Sequence, residues 1–255
     1  LNHTVKSRLL TFGLNISPRI AYRKNASWDV FRNAIEANPT TPIMDPQNPI
    51  QYYNFKGQAA GYNPVELLKL DKNTGTTKLL DWDASVKLNL FPLLLKNPGQ
   101  QVLTTQLTFA DHQYDNYNQF FRPSTSTLEI NAGRTGEASQ DYSKSSLQSV
   151  EWITNYSNSW GKHNVKVMLG YSYEYNKYSG LNANNKDFPN DALEDNNLGT
   201  GTYAKDEGEV DMGSYMNDSK LIAFFGRVSY DWQGRYMLTA SLRSEERRVG
   251  KECVL

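Results

Sequence analysis

A single cysteine, Cys253, stands in 255 residues. One thiol cannot close an intrachain disulfide, and there is no Cys cluster to hold zinc. Histidine is nearly as scarce. His3, His112 and His163 lie far apart and suggest no metal site. No apolar run approaches the roughly 18–20 residues of a transmembrane helix. The longest apolar clusters are Leu88–Leu95, broken by Asn89 and Pro92, and Leu221–Phe225. Charge of one sign is not in excess either. Lys plus Arg is 27 and Asp plus Glu is 27, whereas a nucleic-acid surface needs a basic surplus, so no nucleic-acid partner is expected. The hydrophobic fraction is only 38%, yet aromatics reach 12%, with 16 Tyr. Disordered chains are poor in aromatics, so simple disorder is excluded. Leu1 is not a start residue and no signal peptide follows it, so a fragment is expected.

What the sequence does have is period-two alternation, the mark of strands. Val165, Val167, Leu169, Tyr171, Tyr173 and Tyr175 fall on one face; Lys166, Met168, Gly170, Ser172, Glu174 and Asn176 fall on the other. The same pattern recurs around Leu10–Ile16, Ala84–Leu90, Leu103–Phe109, Val150–Trp160, Ile222–Trp232 and Tyr236–Leu242. That predicts about seven strands. The clearest runs for about eleven residues, the length of a tilted strand crossing a bilayer, against about 5–6 in soluble proteins.

The expected connections alternate in length. Gly161–His163 and Gln233–Gly234 are tight, and Phe91–Gln101 is a medium turn. Ser17–Leu80, Asp111–Leu147 and Ser179–Ser219 are long. Short turns at one end and long loops at the other are the layout of an outer-membrane barrel, and Trp160 and Trp232 lie where an interfacial aromatic girdle belongs. The fold class is therefore all-β: part of a transmembrane antiparallel β-barrel with long extracellular loops. A soluble β-sandwich also alternates, but rarely carries such long one-sided connections. In the first loop, Ser27 is expected to cap a helix over Trp28–Ala37, with Trp28, Phe31 and Ile35 on one face.

Lys220–Arg243 reads KLIAFFGRVSYDWQGRYMLTASLR. This resembles a barrel hairpin of the SusC/RagA family of TonB-dependent outer-membrane transporters of Bacteroidetes. NPVELL at Asn63–Leu68 and LNANNKDFPNDALEDNNLG at Leu181–Gly199 are similar to loop signatures of that family. The resemblance implies a barrel of about 22 strands around an N-terminal plug. It also implies outer-membrane localisation and surrounding lipid, coupling to the TonB complex through an N-terminal part not in these residues, and a SusD-like lipoprotein lid. The imported substrate would be an oligosaccharide, or in some members a peptide. No catalysis and no cofactor are implied. Residues 1–243 are thus expected to be a partial receptor barrel. Residues 244–255 are expected to be a non-native tail, because RSEERRVGKEC at Arg243–Cys253 resembles the translation of a sequencing-library adapter. A soluble or surface glycan-binding module and a siderophore-type receptor are the competing readings.

Nothing in the sequence has the look of a catalytic centre. Carboxylates cluster between Asp187 and Asp218. Oxygen-rich clusters suit hard cations, but no EF-hand spacing appears, and a solvated acidic loop is the expectation. The better candidates for ligand or partner contact are Tyr114, Tyr117, Phe120 and Phe121, with Asn116 and Asn118 between them. Rings offer flat apolar faces and amides offer both donors and acceptors, a combination suited to sugars. A second aromatic group comprises Tyr52, Tyr53, Phe55 and Tyr62. Inward-facing Lys87, Lys166, Glu174 and Arg227 are expected to meet a plug in a polar lumen.

Overall fold

The computed structural model describes residues 2–6, 9–26, 28–94, 99–206 and 212–250. Its strands are β1 (Asn2–Lys6), β2 (Leu10–Lys24), β3 (Lys72–Asn89), β4 (Val102–Arg122), β5 (Glu137–Trp160), β6 (His163–Lys186), β7 (Met212–Trp232) and β8 (Tyr236–Val249). All pair antiparallel in sequence order in one eight-stranded sheet. The expectation of seven strands missed β1, a short edge strand too brief to show alternation. Short helices decorate the connections: α1 (Trp28–Glu36), α2 (Pro64–Leu70), α3 (Phe91–Leu94), α4 (Thr127–Ala132) and α5 (Tyr203–Asp206), with a 3₁₀ turn at Glu194–Thr200. None is long and apolar enough to cross a membrane, which says nothing of strands.

Register fixes the faces, because directly paired residues share a side. Phe12, Val86, Leu107, Trp152, Tyr171 and Phe224 form one continuous cross-strand row. Within it Phe224 is 62% exposed and Leu107 and Trp152 each 54%, and Leu169 beside it is 62% exposed. A soluble sheet would bury such a row under a second layer; a barrel presents it to lipid. The opposite face carries Ser85, Thr108, Glu151 and Ser172 in a single row. Lys87, Lys166, Glu174 and Arg227 also fall on this polar side, as the alternation requires.

At the short-turn end, Trp160 stacks on His163, whose Nδ1 lies 2.6 Å from the Tyr230 hydroxyl, and Trp232 stacks on Tyr236. These amphipathic rings form the girdle expected at one interface. The turn at Gly161 needs a φ of 56°, a region glycine enters without a Cβ penalty.

The largest departure lies at the other end. Residues 17–24, 72–80, 111–122, 137–147, 179–186 and 212–219, expected as loop, are strand. β4 and β7 run for 21 residues, and β5 and β6 for 24. In these outer segments neither face is an apolar stripe, so the hydrophobic alternation stops while the hydrogen-bond ladder continues. A stretch such as Asp111–Arg122 has no apolar stripe to reveal it as strand.

One buried apolar cluster sits at the outer ends of the strands, where Phe121 of β4 and Ala138 of β5 pack with Phe188 and Leu198 of the connection after β6. In α1, Val30 and Asn33 are the buried side chains, while Phe31 and Ile35 are exposed, so the packed face is not the one expected. Asn33 explains the difference: its amide donates to Asp29 O, and its oxygen accepts from the Tyr62 backbone N–H. The expected cap Ser27 and the Trp28 side chain lie outside the described residues.

Candidate functional site

The end opposite the tight turns is organised by a polar cap. Asn63 accepts hydrogen bonds from the N–H groups of Val65 and Glu66, and Pro64 follows it at the first helical position, so Asn-Pro starts α2. The Asn63 amide donates to the carbonyls of Ile43 and Tyr53, tying the first long loop to that helix. Glu66 is buried and accepts from both the backbone N–H and the hydroxyl of Thr127 at the start of α4. The NPVELL segment is thus a clamp between two loops. At the end of β4, Arg122 donates two hydrogen bonds to Asp71, at 2.8 and 2.7 Å. Glu129 is fully buried and receives two bonds from Arg134. Burial raises the Glu129 carboxyl above its ordinary range, and Arg134 opposes that rise without cancelling it.

The second signature segment also works as a clamp. Asn185 donates to the carbonyls of Leu198 and Gly201. Asp191 accepts from the Ser124 backbone N–H and hydroxyl, Asp195 from Gln119 and Gln140, and Asp187 from the Thr135 N–H. These carboxylates are occupied by donors from β4, β5 and the loop between them. Among the described residues, no group of three or more His, Cys, Asp or Glu is placed to hold a metal ion. Glu207, Glu209 and Asp211 lie outside the described residues.

The six candidate contact residues are on β4, not in a loop, and the strand divides them. Tyr114, Asn116, Asn118 and Phe120 fall on the polar, inward side; Tyr117 and Phe121 fall on the other. Phe121 is only 4% exposed within the loop core, so its role is packing and it offers no surface to a ligand. Tyr117 lines an outward groove of about 380 Å³ with Thr76, Lys78, Asp115 and Tyr142. Phe120 has the Arg122 guanidinium over its ring at 5.1 Å. Asn116 and Asn118 accept from Arg23 at 2.6 and 3.4 Å, and Asn116 also accepts from the Thr77 hydroxyl. In the second aromatic group, Phe55 is buried and meets Tyr53 edge-on.

Register brings further residues to this inward wall. Tyr114, Ser145 and Tyr178 share one row; Asn116, Ser143, Gly180 and Tyr215 share the next. Tyr215 donates a hydrogen bond to the Tyr178 hydroxyl at 3.0 Å, and their ring centroids are 5.2 Å apart. Arg23, Tyr178 and Tyr215 escape a reading by segment, because each lies far along the chain from Tyr114 and only the strand pairing unites them.

Comparison with known proteins accords with this architecture. No protein-family model matches the chain. A TonB-dependent receptor, P3, of Formosa agariphila is 30% identical over 125 residues, which are 49% of this chain and 12% of that receptor. A chain of the RagAB peptide transporter superposes over 96% of this chain with a TM-score of 0.66 at 15% identity. The RagAB peptide importer in its open-open state gives 0.69 at 16% identity. This chain spans 27% of either structure's chain. The chain thus resembles a TonB-dependent receptor in sequence over about half its length and RagAB in fold over nearly all of it.

Proposed function

We propose that this chain is part of the barrel of an outer-membrane, TonB-dependent importer. It takes up an oligosaccharide, a peptide being the alternative cargo, and works with a SusD-like lipoprotein over its extracellular mouth. The observation that carries the reading is the exposed apolar row from Phe12 to Phe224, bounded by the Trp160–His163–Tyr230 girdle at the tight-turn end. A water-soluble glycan-binding module would leave that row without a covering layer. In lipid the row is solvated, and the edges at β1 and β8 need neighbouring strands, because unpaired backbone groups are costly in hydrocarbon. The likeness to a TonB-dependent receptor and to RagAB supports the transport role. The reading assigns no reaction to these residues.

The test uses the full-length parent in its native host. Deletion of its gene should abolish uptake of one class of oligosaccharide, and an intact copy should restore it. A partner lipoprotein should co-purify from the outer membrane. Loss of peptide uptake alone would move the cargo to peptides. A water-soluble parent, found outside the membrane fraction, would overturn the reading as a whole.

A further inference from the structure

The inward wall carries an arrangement that chain order hides. A Cβ built on Gly180 would stand 2.4 Å from Cζ and 2.4 Å from the hydroxyl oxygen of Tyr215. The Tyr215 ring therefore lies across the backbone of β6, in space that any other residue at 180 would fill. The same device recurs on the same strand pair, where a Cβ on Gly170 would stand 2.1 Å from Cε2 of Phe225. A ring laid on a sheet in this way shows one π face to the wall and the other to the lumen. Tyr178 and Tyr215 remain 42% and 41% exposed.

Across from this pair stands Tyr114. Ser145 alone separates Tyr114 from Tyr178 in their row, and Ser143 and Gly180 separate Asn116 from Tyr215 in the next. At about 4.8 Å per strand, Tyr114 and Tyr178 are about 10 Å apart along the sheet. The result is a trough with a floor of small residues, aromatic walls and amide groups along one side. Its charge is balanced, with Arg23 on Asn116 and Asp141 one row above Ser143.

We infer that Tyr114, Tyr178 and Tyr215, facing each other over Ser143 and Ser145, form a stacking site for a neutral oligosaccharide on the inner wall of the extracellular vestibule. The inference rests on the importer reading above and names the place where its cargo first meets the barrel. Flat rings suit the C–H faces of sugars, and Asn116, whose oxygen is taken by Arg23 and Thr77, offers its amide N–H groups to hydroxyls. One recurring way to hold an extended peptide is to add it as a strand to a free edge. β4, β5, β6 and β7 are paired on both sides and offer no such edge here.

The experiment measures binding to the purified full-length transporter by calorimetry. The probes are linear neutral hexasaccharides of glucose, mannose and xylose, with a mixed set of heptapeptides as comparison. Tyr215→Ala should weaken the bound hexasaccharide at least tenfold, while Tyr215→Phe stays within threefold of wild type. Gly180→Ala, which must lift the ring, should weaken it as Tyr215→Ala does. Heat-modified migration of the barrel checks insertion. Should Tyr215→Ala fail to insert, Tyr178→Leu is read in the same way. If wild type binds a hexasaccharide and these variants bind it equally well, the site is wrong and the importer reading stands. If wild type binds only peptides, or no hexasaccharide, the oligosaccharide reading falls and this site falls with it.

Discussion

Arg122, the last residue of β4, holds Asp71, the residue before β3, in a two-bond fork. The two side chains are 12% and 7% exposed. Glu129 and Glu137 approach the same guanidinium at 3.7 and 3.8 Å. One cation therefore serves three carboxylates where two strand ends and a loop helix meet. Arg122→Met leaves all three without it and should cost about 3–5 kcal/mol, the range for breaking a buried pair from one side. Asp71→Asn keeps Arg122 beside two acids and should cost less. Hydrogen exchange at the outer ends of β3 and β4 in the full-length parent reads the difference. Equal protection in both variants would remove Arg122 as the hub.

Glu129 carries a pH dependence of definite sign. Its folded pKa is raised, chiefly by burial. The folded state therefore holds a proton there more tightly than the unfolded state does. The contribution to stability is full below the ordinary carboxylate pKa and is lost as pH rises through the raised value. Glu129→Gln should flatten this dependence for the β4–β5 connection, measured as the rate of proteolytic nicking between Pro123 and Gly136 at a series of pH values. An unchanged slope in the variant would assign the dependence to another group.

The lipid-facing assignment predicts an asymmetry within β6. Leu169→Arg puts a charge on the apolar side near the middle of the strand's membrane span and should cost roughly 2–4 kcal/mol. Lys166→Ser, on the polar side, should cost much less. Urea unfolding of the full-length parent in lipid vesicles measures both. Similar costs at the two positions would favour a soluble sheet.

The segment from Ser244 is proposed to be foreign to the protein. β8 stays paired with β7 as far as Val249. That register sets Glu246 beside Ile222 and Arg248 beside Lys220, on the side that carries Phe224. Ionised groups on a lipid-facing side are costly in proportion to their depth, so a native strand would carry other residues at 246 and 248. Independent long reads across the locus should show them. A read that reproduces RSEERRVGKEC would end the proposal. Cys253 and its neighbours from 251 onward lie outside the described residues.

Sequence patterning reached as far as the lipid did. Where one face of a strand met hydrocarbon, as from Val165 to Tyr175, the period-two signal located the strand and its inward side. Where both faces met water, as from Asp111 to Arg122, composition suggested loop while the ladder ran on. Deleting Asp115–Arg122 would therefore remove not a loop but the outer end of β4 and its pairing with both neighbours, the pairing of Thr104–Tyr114 remaining. The candidate residues were legible as chemistry, aromatic beside amide, but not as geometry. Tyr117 and Phe121 alternate away from Tyr114 and Asn116, and Phe121 is spent on packing. Arg23 and Tyr215 join the wall only through pairing across the sheet, which no local window contains.

A strand of 24 residues at about 3.3 Å each spans roughly 80 Å, and a tilt near 40° leaves about 60 Å of height over an apolar band about 25 Å tall. In the proposed importer one continuous ladder therefore lives in two solvents. In the lower part, opening a single pair would strand its amides in hydrocarbon, so the foot of the wall must hold or fail as a whole. In the upper part, freed amides find water at once and local fraying is inexpensive. The same β5–β6 pair is thus a stiff stave below and a compliant lip above, and the loops it carries can shift without loosening the seal beneath them.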